Sequence, residues 1–163
     1  MNINFSIDAI DLQLLDLLQT DASLSNLDLA ERVHVSPPTC LRRVRRLQES
    51  GLIERQVALL QPDRLAALQG HGLSTIVEVT LDRQGAEHLD AFQARAVADE
   101  AVQQCWRVSP GPDFVLVVHT RDMPGYLALS QRLFTQDANV RNVKAFFATQ
   151  RAKFETKLPI KHD

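Results

Sequence analysis

Four arginines crowd five positions of the stretch Ser36-Pro37-Pro38-Thr39-Cys40-Leu41-Arg42-Arg43-Val44-Arg45-Arg46-Leu47, and no acid stands among them. A guanidinium is a rigid fork of N–H donors that matches phosphate oxygens and the O6/N7 edge of guanine, so these residue types point to nucleic acid. The plain alternative for a basic run is a solvated amphipathic face. Other chemistries find less support. Cys40 and Cys105 are far apart, and the histidines at 34, 71, 88, 119 and 162 form neither HxxxH nor HExxH. No metal site or cofactor is expected, and both cysteines read as small hydrophobes of a reducing compartment. His119, Asp113 and Cys105 could in principle serve an enzyme. No nucleophile, base and orienting group are spaced to work together, so the chain is not read as one.

The arginines need a helix to aim them. Ser36 suits an N-cap and Pro37 the first helical position, where a missing donor costs nothing. At 100° per residue, Cys40, Leu41, Val44 and Leu47 fall on one side, with Pro38, Thr39, Arg42, Arg43, Arg45 and Arg46 on the other. Gly51 ends the helix. Two further helices precede it. Residues 7–19 repeat apolar side chains at helical spacing with Asp8 and Asp11 in the first turn, and Ser25 with Asp28 forms a capping box ahead of Leu27, Leu29, Ala30 and Val33. Residues 52–60 are β-prone. Three helices followed by a strand pair is the winged helix-turn-helix order, whose third helix enters the major groove.

Charge distribution agrees better with this than the net charge of −2 does. Residues 1–60 hold six arginines, no lysine and eight acids, but four of those arginines share one helix. Local concentration is what electrostatic binding requires. The apolar fraction of 45% is that of a globular protein, no run reaches membrane-spanning length, and residues 1–5 do not read as a signal peptide. A cytoplasmic location and no membrane partner are expected.

Residues 61–72 read as a linker around Leu65–Leu68, leaving residues 73–163 as a second domain. Within it, residues 73–81 alternate, 84–98 are helical with Leu89, Phe92, Ala96 and Val97 inward, and 102–108 alternate again with Val102, Gln104, Trp106 and Val108 on one face. Pro110-Gly111-Pro112-Asp113 is a turn, 114–120 a strand apolar on both faces, 124–135 a helix, and 140–149 a strand. Residues 151–158 alternate as an added edge strand would. The order β-α-β-β-α-β is the ferredoxin-like sandwich, so the chain is α+β overall. Helices cover one sheet face, and the doubly apolar strand asks for a cover on the other. A second copy of the sheet is the simplest, which predicts a homodimer; the N-terminal domain folded back is the alternative.

Both halves resemble the Lrp/AsnC (feast/famine) transcriptional regulators. The likeness runs through Ile7-Asp8, Asp11, Leu14-Leu15, Leu29-Ala30, Val35-Ser36-Pro37, Arg43-Val44-Arg45-Arg46-Leu47 and Gly51-Leu52-Ile53. It continues through Ala58-Leu59-Leu60, Val108-Ser109, Asp113-Phe114, Asp122-Met123, Tyr126 and Thr156-Lys157-Leu158-Pro159. The resemblance implies a winged helix-turn-helix joined to a ferredoxin-like domain that dimerises, assembles often to octamers and binds amino acids. It departs at one turn. The family's Gly-x-x-Asp-(Tyr/Phe) is matched here by Pro110-Gly111-Pro112-Asp113-Phe114, and the prolines remove two backbone donors. Ser23 also stands where many relatives carry arginine.

The function expected is that of a sequence-specific regulator of double-stranded DNA. Pro38, Thr39 and Arg42 are assigned to bases, Arg43, Arg45, Arg46 and Arg55 to phosphates, with Ser25 and Ser36 as further contacts. The effector turn is expected to use Ser109, Gly111, Pro112 and Asp113, walled by Trp106, Phe114 and Tyr126. An architectural DNA-organising protein with little sequence preference and no effector is the alternative function.

Overall fold

Asp8 starts the first helix as a capping box: its side chain accepts from the Asp11 N–H, and the Asp11 side chain accepts from the Asp8 N–H. In the computed structural model this helix, α1, spans Ala9–Thr20. The structure describes residues 6–70 and 72–161. The reading of residues 1–5, and two of the five histidines, His71 and His162, lie outside the described residues.

Ser25 and Asp28 form the expected box ahead of α2 (Asn26–Arg32), and Pro37 opens α3 (Pro37–Glu49). Ser36 departs from expectation. Its hydroxyl makes no cap bond and instead shares a 2.9 Å hydrogen bond with the Thr39 hydroxyl. The chain reverses between α2 and α3 with His34 at φ 55°, in the left-handed region, and Gly51 at φ 79° terminates α3. Leu14, Leu18, Leu29, Ala30, Val33, Cys40 and Leu47 form the core of this unit. Leu27 and Leu41, placed inward by periodicity, are exposed. Each sits at the margin of an apolar stripe that a short helix does not bury in full.

Residues 52–60 form no strand. They are irregular and mostly exposed, so the wing ladder expected here is not made among the described residues. The segment 153–161 groups with residues 6–59 and also forms no edge strand. It lies along α1, where Lys157 Nζ reaches Asp16 at 3.0 Å and the Thr20 hydroxyl at 3.0 Å, and the Leu158 backbone pairs with Gln19.

The second unit, residues 60–152, begins with an eight-residue helix, α4 (Pro62–Gln69), within the stretch read as linker. A sheet of β1 (Leu73–Leu81), β2 (Val102–Arg107), β3 (Phe114–Thr120) and β4 (Val140–Phe147) follows, crossed by α5 (Ala86–Ala98) and α6 (Met123–Ser130). α6 ends in a π-helical turn, Gln131–Thr135. The antiparallel order β2-β3-β1-β4 is that of the ferredoxin-like sandwich.

Thr75, Val77, Val79 and Leu81 of β1 meet Phe114, Leu116 and Val118 of β3 beneath Phe92, Ala96, Tyr126, Leu129, Leu133 and Phe134. Phe92 and Phe114 pack with their rings tilted at 43° and centroids 4.9 Å apart. Arg132 grips Asp99 at the end of α5 through two bonds of 2.6 and 2.9 Å. Val97 is exposed rather than inward. In β2, a register shift between Val102 and Gln104 turns Val102 toward the helices while Gln104 and Trp106 face the open side. The strict alternation expected of that strand is broken by one residue.

Candidate nucleic-acid interface and effector turn

Burial divides α3 into two arginine stripes. Cys40 and Leu47 are fully buried, and Pro38, Leu41, Arg42, Arg45 and Glu49 are exposed. Arg42 and Arg45, three residues apart, therefore leave the helix side by side on its outward face. Thr39 is half-buried at the first turn, its hydroxyl engaged with Ser36. The carboxamide of Asn26 donates to the Pro37 carbonyl at 2.9 Å, tying the start of α2 to that of α3.

Arg43 does not join the outward face. Its Nη1 donates to Asp8 Oδ1 and Oδ2 at 2.9 and 2.8 Å and to Asp11 Oδ1 at 2.8 Å, and its side chain is only 19% exposed. Arg46 sends Nη2 to Asp11 Oδ2 at 2.5 Å, with its side chain 42% exposed. The Asp11 carboxylate is wholly buried between the two guanidiniums. The Asp11 hydrogen bond, followed by that of Asp8, holds the Arg43 guanidinium above its ordinary pKa. The Cys40 thiol beside it is pushed up by burial.

An arginine front without neutralising acids is thus corrected: α3 carries none near them, but α1 supplies two. The signal was present in the sequence. Arg43 lies about 40° from Leu47 around the helix, close to the buried line, and Asp8 and Asp11 share one turn of α1.

Ser25 is absorbed by its cap. Its hydroxyl donates to Asp28 Oδ2 at 2.6 Å, and that bond holds the Asp28 carboxyl below the usual range. Arg55 is exposed in the irregular segment after α3.

The residues expected at an effector pocket are not brought together within the chain. Phe114 is fully buried under the helices, and Tyr126 is buried with its ring edge-on to Phe147 at 5.0 Å. Trp106 projects from the other sheet face, 58% exposed, with its indole N–H on Gln104. A common wall is impossible across a sheet whose strands alternate side chains between faces.

Asp113 is a brace. Its Oδ2 accepts from the Leu81 N–H at 2.7 Å, its N–H donates to the Val79 carbonyl at 2.9 Å, and its carbonyl accepts from Val108 at 3.1 Å. Ser109 and Gly111 are exposed and Pro112 half-buried on the turn that Asp113 anchors. Asp113 and His119 stand at opposite ends of β3, about 20 Å apart at strand rise, and Cys105 faces the helices. His119 Nδ1 lies 3.0 Å from the Ser74 hydroxyl on the open face, near neither of the other two.

Two adjacent cross-strand rows occupy the middle of that open face. Gln104, Val117, Ile76 and Phe146 form one; Trp106, Val115, Glu78 and Lys144 form the other, closed by a Glu78–Lys144 pair at 3.9 Å. Ile76, Phe146 and Trp106 are exposed, an apolar band across the sheet. Among the described residues no helix is long and apolar enough to cross a membrane.

Residues 7–54 match a family of winged helix-turn-helix DNA-binding domains, and residues 74–158 match the Lrp/AsnC ligand binding domain. The chain is 35% identical over 153 residues to a leucine-responsive regulatory protein of Rhizobium meliloti, covering 94% of this chain and 96% of that protein. Among solved structures it resembles an AsnC family transcriptional regulator from Agrobacterium tumefaciens, with TM-score 0.82 and 30% identity over 94% of this chain and 97% of that one. It also resembles a transcriptional regulator from Neisseria meningitidis solved as a complex with L-Met, with TM-score 0.83 and 27% identity over 96% and 99% of the two chains.

Proposed function

The chain belongs to the Lrp/AsnC family of DNA-binding transcription regulators, and from that premise we propose a division of labour among its residues. Pro38, Thr39 and Arg42 meet base edges in the major groove, while Arg45, the outer part of Arg46 and Arg55 hold phosphates. The observation that carries this reading is the outward stripe of α3, where Arg42 and Arg45 stand exposed over a buried Cys40–Leu47 back.

The second unit pairs with its counterpart in another copy through the open sheet face. Trp106, Ile76 and Phe146 give that face an apolar band of the kind that marks an association surface. A dimer presents two α3 helices to half-sites about 34 Å apart or a multiple of that, and dimers assemble further toward octamers.

An amino acid seated between subunits at the 109–113 turn shifts the balance of assemblies, to the extent that it prefers one of them. The match to a ligand binding domain and the L-Met complex of the Neisseria meningitidis relative support this. With Pro110 and Pro112 lacking N–H groups, the ligand's carboxylate is left to the Gly111 N–H, the Ser109 hydroxyl and groups of the second subunit.

The test is selection of bound duplexes from a random pool by the full chain, then titration on the recovered site. Arg42→Ala should lose about 1–3 kcal/mol and relax preference at one base pair. Equal loss on every sequence would remove the base contact. A pool that yields no preferred site would favour an architectural role. Calorimetry and light scattering with the common amino acids test the effector, and no heat and no change in mass with any of them would end that part of the reading.

A further inference from the structure

Arg43 and Arg46 stand one turn apart on α3 and reach the same carboxylate from two sides. We propose that Asp11 is a positioning residue for DNA recognition: with Asp8 it withdraws Arg43 from the duplex and fixes the direction in which Arg42 and Arg45 leave α3. The inference rests on the DNA-binding reading above and narrows it.

Three observations carry it. First, Nη1 of Arg43 has three carboxylate oxygens within 2.9 Å. A phosphate could take it only by displacing both carboxylates, leaving the wholly buried Asp11 with Arg46 as its one remaining guanidinium. Second, the two carboxylates cannot swing. Each accepts the other's backbone N–H, at 3.0 and 3.2 Å, so the clamp is built into the first turn of α1. Third, Cys40 and Leu47 are the fully buried side chains of α3, with Val44 packed beside them, and all three lie within about 60° of one another around the helix. A roll of about 20° would carry an arginine tip, roughly 8 Å from the helix axis, by about 3 Å. That exceeds the tolerance of a two-bond contact to guanine. The clamp attaches α3 to α1 on the flank between the core and the outward stripe, where it opposes that roll.

The experiment compares full-length variants on a mixed-sequence duplex of about three helical turns, across a salt series, and then on the selected site. Arg45→Gln should lower the slope of log K against log salt by about 1, because one phosphate contact is lost. Arg43→Gln should leave the slope unchanged, because a flexible arginine follows a phosphate through a roll of α3 that a base contact does not survive. Asp11→Asn should reduce the ratio of specific to non-specific affinity roughly tenfold, the worth of one misread base pair. Circular dichroism melts establish that each variant is folded. If a single variant is not, D11N/R43Q, which removes both charges of the pair, takes its place in both measurements. A slope that falls as far for Arg43→Gln as for Arg45→Gln overturns the proposal, as does an unchanged specificity ratio in folded Asp11→Asn. A wild-type chain that ignores the duplex even in dilute buffer fails differently, removing the DNA-binding reading itself.

Discussion

The carboxamide of Gln19 and the peptide unit of Leu158 meet head to head: Gln19 Nε2 donates to the Leu158 carbonyl at 2.8 Å, and the Leu158 N–H donates to Gln19 Oε1 at 2.9 Å. The two residues are 139 positions apart in sequence. An amide side chain used this way imitates one rung of a β-ladder, and it fastens an otherwise extended segment to the last turn of α1.

Gln19→Ala should release that segment. Two exposed hydrogen bonds contribute about 1 kcal/mol in total, so the loss of global stability is small while the local loss is large. Hydrogen exchange at the Leu158 amide is the measurement. Faster exchange in the variant with an unchanged core is expected, and equal rates in both proteins would show that the clasp holds nothing.

Acid should weaken both units through named carboxylates. Asp8 is held below the usual range chiefly by the Asp11 N–H, with Arg43 adding to it, and Asp99 chiefly by its hydrogen bond from Arg132. A depressed folded-state pKa contributes stability that is present above the unfolded value, about 3.9, and lost as pH falls through the folded one. Urea midpoints should therefore hold steady from neutrality to about pH 5 as far as these groups are concerned, and drop below about pH 4. Asp99→Asn should flatten that drop in the second unit. An acid limb of the same depth in the variant would assign it to other groups.

His34→Gly should stabilise the first unit by about 1 kcal/mol, since a side chain at φ 55° bears a left-handed strain that glycine escapes. His34→Val should cost at least as much, because a β-branched residue tolerates that region least. Thermal melts read both. A fall in midpoint with glycine would mean that the imidazole makes a contact outweighing the strain.

Asp113→Ala removes the acceptor of the Leu81 N–H, a part-buried donor at the end of β1, and should cost about 1–3 kcal/mol. Asp113→Asn keeps an oxygen in place and should cost less than half as much. Denaturant melts separate the two. If both variants lose equally, the carboxylate charge, rather than the hydrogen bond, is what the turn depends on.

Where side chains alternate or recur without interruption, the sequence could be read to the residue. Residues 73–81 were bounded correctly because β-branched and apolar residues repeat every second position over a whole strand, and 114–120 because an unbroken apolar run, Phe114 to Val118, follows directly on a turn. Periodicity failed at the edges of things. Leu27, Leu41 and Val97 continue an apolar pattern beyond what the neighbouring helix covers. The bulge in β2 turns Val102 away from the face of Trp106, and nothing in Val102-Gln103-Gln104 announces an extra residue. At the nucleic-acid face, the helix and its outward arginines were legible from α3 alone. The fate of Arg43 was not, because it is decided by acids 32 and 35 positions away.

The body that carries α3 is assembled from both ends of the chain, residues 6–59 with 153–161. Recombination between regulators must respect that seam. A chimera that takes everything after residue 60 from a relative also imports a foreign strap for α1, whereas grafting only the interior, 60–152, leaves the native fastening in place. Modularity in this protein is that of an insertion inside a split host, and a shuffled library cut at one crossover point would break what a library cut at two would keep.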